Sequence, residues 1–241
     1  MTTPTHTSQA RHLGTDREVF LAKIRGALGA KKGRTITEPV PDVDESLVRL
    51  CQTDEDLPAR FADRAQALGM QIHHAKVNEL GAQIGNILEK HNCKEAVTSI
   101  AHQLLNKQVT EILRDLGTAM IDHKSTSWHD QQFDVDAGIT DVDAALAETG
   151  SIIISSGAHR SRGSYLAPPL HIALVRTSQI LADLIDYFDC KNDWLDEPNQ
   201  SATVLISGPS KTADIEGILI TGVHGPGMVH IIIIDDQSQS E

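Results

Sequence analysis

The 241 residues carry a formal net charge of −12, with 40% hydrophobic, 22% charged and 3% aromatic residues. A chain of this size and balance buries a substantial core without staples, which excludes a disordered or fibrous protein. The acidic balance and the shortage of aromatics to stack on bases exclude a nucleic-acid surface, because only the short cluster Lys31, Lys32 and Arg34 is basic.

Residues 1–14 are polar, lack the apolar centre of a signal peptide, and read as a tail. Thr15 and Glu18 fit a capping box, and Phe20, Ile24, Ala27 and Leu28 then share one face, which predicts an amphipathic helix over residues 16–28. Residues 30–44, with Pro39 and Pro41, read as a tether to the body. Its length suggests that the helix reaches outward to dock on a partner, and that a chain lacking residues 1–40 still folds. The expected partition is therefore 1–43 tail, helix and linker, 44–236 α/β domain, and 237–241 tail. No apolar run reaches the roughly 18 residues of a spanning helix, so the expected location is the cytoplasm.

In the body, helices are expected over residues 54–68, 78–91 (capped by Asn78) and 102–116, and strands over 72–77, 96–100 and 119–121, with 122–136 as a loop or loose edge. A short helical stretch is expected from Asp141. Four continuous β-branched runs follow at 152–155, 172–175, 203–206 and 229–234, the pattern of strands covered on both faces, and residues 177–188 read as a crossover helix. The alternation predicts an α/β fold of three α/β/α layers around a largely parallel sheet, with an N-terminal helical extension. Ligands of such sheets gather outside the carboxyl ends of the strands.

Three glycine-bearing turns at the ends of these runs are the candidate site. Ala147-Glu148-Thr149-Gly150-Ser151 holds a carboxylate between rigid elements, or is simply a helix end with Gly150 as its left-handed cap. Residues 207–216 offer Ser210, Lys211 and Thr212 and a run of N–H groups suited to a phosphate or carboxylate, but not a P-loop; the alternative is a decorated surface turn. Residues 222–227 place His224 among three glycines, as an acid, a base or an anion donor, or as a histidine that satisfies only a backbone group. A loop carrying Arg160 and Arg162 could close over an anion. Glu148 and His224 are thus the candidate catalytic pair. The candidate ligand-binding positions are Thr149, Gly150, Arg160, Arg162, Gly208, Ser210, Lys211, Thr212, Asp214, Glu216, Gly222 and Gly225. Cys51, Cys93 and Cys190 are dispersed, and His73, His74, His123 and His129 lack ligand spacing, so no metal or cofactor is expected on this chain.

Taken in order, Gly138-Ile139-Thr140, Ala147-Glu148-Thr149-Gly150, the stretch from Gly208 to Glu216 and Gly222-Val223-His224-Gly225-Pro226 resemble the LUD domain of the lactate-utilisation protein C family. The resemblance covers roughly residues 44–236 and extends to the N-terminal helix. It implies a fold similar to the ribose-phosphate isomerase and CoA-transferase superfamily. It also implies a place, without clusters of its own, beside two iron–sulfur proteins in a system that oxidises L-lactate to pyruvate. A small carboxylate or phosphorylated ligand is the expected binding partner, and self-association is compatible with the sequence. The alternatives are an independent enzyme acting on a sugar phosphate or CoA ester, which rests on fold analogy, and a protein that senses an organic acid.

Overall fold

The computed structural model describes residues 16–28, 44, 48–51, 55–125, 127–157, 160–190, 202–215 and 218–236. The expected tails, the linker and Thr15 lie outside them. Helix α1 (Arg17–Leu28) starts at Asp16, whose carboxylate accepts the Glu18 N–H at 2.9 Å, and Val19, Phe20 and Ile24 on it are exposed. It belongs to a unit, residues 1–45, distinct from the body of residues 46–241.

In the body, α2 (Leu57–Ala67) is started by Asp56, which accepts the Ala59 N–H, and by Pro58 in the first turn, and it ends before Gly69 at φ +96°. Strand β1 (Gln71–Lys76) leads through a 3-10 turn (Val77–Glu79) into α3 (Leu80–Lys90). Asn78 is inside that turn and does not cap the helix; Glu79 does the local work by accepting the Lys76 N–H. After β2 (Glu95–Ser99), α4 (Gln103–Asp115) buries Leu105, Val109 and Leu113 at four-residue spacing and β3 (Ala119–Ile121) follows. The segment expected as a loop contains α5 (Trp128–Gln131), held down because Trp128 packs with Val97 and Val135.

Beyond this point tertiary burial overrides local pattern. The residues expected to turn helical from Asp141 are instead the end of β4 (Ala137–Asp141) and β5 (Ala144–Leu146), every residue of which is buried. Strand β6 (Ser151–Ser156), α6 (Gly163–Leu166) and β7 (Leu170–Arg176) follow. The expected crossover helix is a 3-10 turn (Thr177–Gln179), β8 (Ile180–Leu181) and only then α7 (Leu184–Cys190). The chain closes with β9 (Ala202–Ile206), β10 (Lys211–Ile215), β11 (Ile218–Thr221) and β12 (Met228–Asp235).

The central sheet has six parallel strands in the order β1-β12-β7-β4-β2-β3. The runs in β7 and β12 belong to it, as expected. Those in β6 and β9 do not: they pair antiparallel in a second sheet, β8-β5-β6-β9. The run in β6 is buried along its whole length, but β9, expected to be covered on both faces, is an edge strand that leaves Leu205 exposed, so a continuous apolar run fixes neither the sheet a strand joins nor its cover. One face of the central sheet presents Ile139, Ile172, Leu174, Ile232 and Ile234 to α3 and α4. The other presents Ala173, Val175, Ile231 and Ile233 to Phe61 and Ala65 of α2 and to Ile152 and Ile154 of the second sheet. Tyr187 of α7 covers the second sheet's far face against Leu146 and Ile153.

Candidate functional site

The three glycine turns meet around the end of α2. Gly150 adopts φ +71°, and a Cβ there would overlap the backbone of Arg64 and Ala65. Gly208, at φ +119°, sits so close to Leu68 that a Cβ would be 2.9 Å from its carbonyl oxygen. Thr149 Oγ1 donates to Ser151 Oγ at 2.9 Å, and Ser151 Oγ pairs with Ser207 Oγ at 2.7 Å, joining the first turn to the second. Ser210 joins the second to the third: its N–H donates to Pro226 O and its carbonyl accepts the Gly222 N–H, each at 2.9 Å. Gly225 packs on the Ser210 side chain, and Gly222 takes φ +85° against Gly227. Gly150, Gly208, Ser210, Gly222 and Gly225 therefore share one neighbourhood. Because the third turn enters β12 at Met228, whose N–H donates to Pro169 O, this neighbourhood lies at the amino edge of β7 and β12 and not at the expected carboxyl edge.

The polar residues of these turns are less concentrated than the glycines. Glu148 Oε1 accepts the Leu50 N–H at 3.2 Å, so the carboxylate pins residues 48–51. Residues 211–215 form β10, which spreads Lys211, Thr212 and Asp214 along a hairpin with β11 in place of a nest, while Glu216 lies outside the described residues. Lys211 Nζ donates to Leu68 O at 3.3 Å and closes the end of α2. His224 is exposed.

A second constellation, absent from the sequence-based candidates apart from Arg160, occupies the carboxyl edge where β2 and β4 adjoin. Asp141 accepts the N–H groups of Ala101 and His102 at 3.0 to 3.1 Å, at the entrance to α4, and the Arg160 Nε–H at 2.8 Å. Arg160 also pairs with Asp143, which itself accepts the Ser155 N–H at 2.7 Å. Burial works against the Arg160 charge, but the hydrogen bonds and charges of Asp141 and Asp143 outweigh it and hold its pKa above the ordinary value. Arg160 is thus committed to carboxylates, whereas Arg162 is exposed. Close by, a cavity of about 420 Å³ opens among β2, β3 and α4, lined by Thr98, Asn106, Thr110, His123 and Lys124.

Two buried histidines complete the polar inventory. His171 shares a 2.9 Å hydrogen bond with Thr140 Oγ1, and burial lowers its pKa to about 4. His230 lies between His73 at 2.9 Å and His91 at 3.0 Å; burial, then the neighbouring His73, His91 and Lys90, lower its pKa to about 3. Both are neutral near pH 7. Among the described residues no group of three or more His, Cys, Asp or Glu is arranged to hold a metal ion, and no helix is long and apolar enough to cross a membrane. The signal for Asp141 and Asp143 was their position directly after Gly138-Ile139-Thr140; His171 and His230 were hidden inside apolar runs.

The model of the LUD domain matches residues 58–234, from α2 to the end of β12. The chain belongs to the LUD-domain family. Lactate utilization protein C 1 of Bacillus mycoides is 27% identical to this LUD protein over 92% of the chain and 98% of its own length. Lactate utilization protein C of Halalkalibacterium halodurans is likewise 27% identical over the same shares. Lactate utilization protein C of an Exiguobacterium strain reaches 40% over 42% of the chain and 45% of its own length. A DUF162 family protein from Deinococcus radiodurans has the same fold, with a TM-score of 0.57 and 21% identity over 74% of this chain and 96% of that one.

Proposed function

We propose that this LUD protein serves in lactate utilisation as the cluster-free component of a system that oxidises L-lactate to pyruvate with iron–sulfur partners. The observation that carries the proposal is the end-to-end similarity to lactate utilization protein C proteins, which takes in the N-terminal helix region as well as the shared domain. In this reading the turn neighbourhood of Ser210, Gly222 and Gly225 binds a small carboxylate. Glycines there allow close backbone approach, and Lys211 and His224 supply exposed donors. Exposed Val19, Phe20 and Ile24 on α1 suit docking to a partner subunit, since a three-turn helix gains most of its stability from packing.

The test is co-purification. Tagged chain expressed with the iron–sulfur proteins encoded beside it should retain them, seen as broad visible absorption in the eluate. A Phe20→Asp, Ile24→Asp variant should lose them while staying folded. Absence of any captured iron–sulfur protein under reducing, oxygen-free conditions contradicts the assignment.

A further inference from the structure

The central sheet ends at β3, an edge strand of three residues. Its Met120 is the register partner of Ala96, which packs with Leu105 and Val109 of α4. Met120 and Thr98, two residues past Ala96 on β2, therefore face the helix. Asn106 and Thr110, one turn apart on α4, meet them across a cavity of about 420 Å³, within the range of ligand pockets. Buried Ile100 adds to its apolar wall, Met120 stays partly exposed, and residues 122–124 bound it, with Asp122 and Lys124 open to solvent. His123 is fixed there because its Nδ1–H donates to Thr98 O at 3.0 Å. The cavity opens at the carboxyl ends of β2 and β3, where ligands of parallel sheets gather. The Asn106 side-chain amide makes no hydrogen bond among the described residues; the bond from Thr110 Oγ1, at 2.8 Å, goes to the Asn106 backbone carbonyl.

We propose that this cavity binds an adenine ring, carried by a nucleoside or its 5′-monophosphate. A side-chain amide presents a donor and an acceptor side by side, the complement of the N6–H and N7 edge of adenine. Guanine and hypoxanthine offer two acceptors, O6 and N7, at that edge and so match only the amide nitrogen. Ile100 and Met120 give the ring aliphatic and thioether cover in place of aromatic stacking. A lone carboxylate fits less well. Asp122 and Lys124 carry one charge of each sign, His123 adds one only when protonated, and the Asn106 amide oxygen would be left unused. This site lies at the opposite edge of the sheet from the glycine turns and does not depend on the role in lactate utilisation.

The experiment is a saturation-transfer NMR titration of the full chain with adenosine, adenosine 5′-monophosphate and inosine, and with sodium L-lactate as the anionic comparator. Adenosine should bind at least about fivefold more tightly than inosine, the lower bound for one bidentate amide–adenine contact, and Asn106→Ala should erase that preference. Tighter binding of the monophosphate, with the gain lost in Lys124→Ala, assigns the ring to a nucleotide, and equal or weaker binding assigns it to a nucleoside; either supports the site. Should Asn106→Ala fail to fold, the side-chain NH₂ signals of Asn106 in the unmutated protein decide: adenosine should move them and lactate should not. No binding of adenosine or its monophosphate, equal affinity for inosine, a preference that survives Asn106→Ala, unmoved Asn106 signals, or the same shifts with lactate overturns the proposal.

Discussion

Acidification from neutral pH should destabilise this protein through its buried histidines well before its carboxylates titrate. His171 has a folded-state pKa of about 4 because it is wholly buried, and the unfolded chain returns it to about 6.5. The folded pKa is depressed, so the unfolded state binds the extra proton, and stability is lost as pH falls from about 6.5 toward 4. At about pH 5 the linkage relation gives a loss of about 2 kcal/mol for His171, and about the same again for His230, whose folded pKa is about 3. Against a typical stability of roughly 5–15 kcal/mol, a combined loss of about 4 kcal/mol should lower Tm by roughly 8–16 °C in a domain of this size. Circular-dichroism melts between about pH 7.5 and 5 would measure it, with His171→Gln as the comparison: having no imidazole at this position, the variant should show a shallower pH slope. A flat wild-type Tm over this interval, or an unchanged slope in His171→Gln, would refute the assignment of these histidines as neutral core groups.

Arg160→Ala should cost about 3–5 kcal/mol in urea denaturation by stranding Asp141 and Asp143, while Arg162→Ala changes stability by less than about 0.5 kcal/mol; equal effects would dissolve the distinction between the two arginines. Gly138→Ala should destabilise by at least about 1–3 kcal/mol, since the atom in its way is the Ser164 backbone and not a flexible side chain; a neutral result in the same assay would mean that α6 is not pressed on β4. Removing residues 1–40 should leave Tm unchanged, because α1 belongs to a unit apart from the body; a calorimetric loss of the main transition would place it in the core.

The fold class was legible because its signals are local and repeated. The four-residue spacing of Leu105, Val109 and Leu113 marks a helix whatever it packs on, and the run Ile231 to Ile234 marks a strand covered on both faces. What the sequence withheld depends on partners distant in the chain. Residues 144–147 are helix formers by composition, but Ala144, Ala145 and Leu146 become strand because they are enclosed between β6 and β8. The assignment of β6 and β9 to a second, antiparallel sheet is likewise a pairing decision invisible in either run. At the candidate site, the glycines were readable because left-handed backbone and close approach leave few other residues eligible, as at Gly150 and Gly208. Glu148 illustrates the converse. A carboxylate beside a glycine looks like chemistry in one dimension, and in three it holds the Leu50 N–H. Asp141, Asp143 and Arg160 form a unit only because β4, β5 and the turn after β6 converge at one strand end.

Growth on L-lactate tests the central claim most directly. In a bacterium whose own lactate utilization protein C gene has been deleted, with its iron–sulfur partners intact, expression of this chain should restore growth on L-lactate as sole carbon source, and a chain with Gly208→Val and Gly225→Val should not. Failure of the folded, expressed wild-type chain to restore growth, in a strain rescued by its own gene, would contradict the role in lactate utilisation.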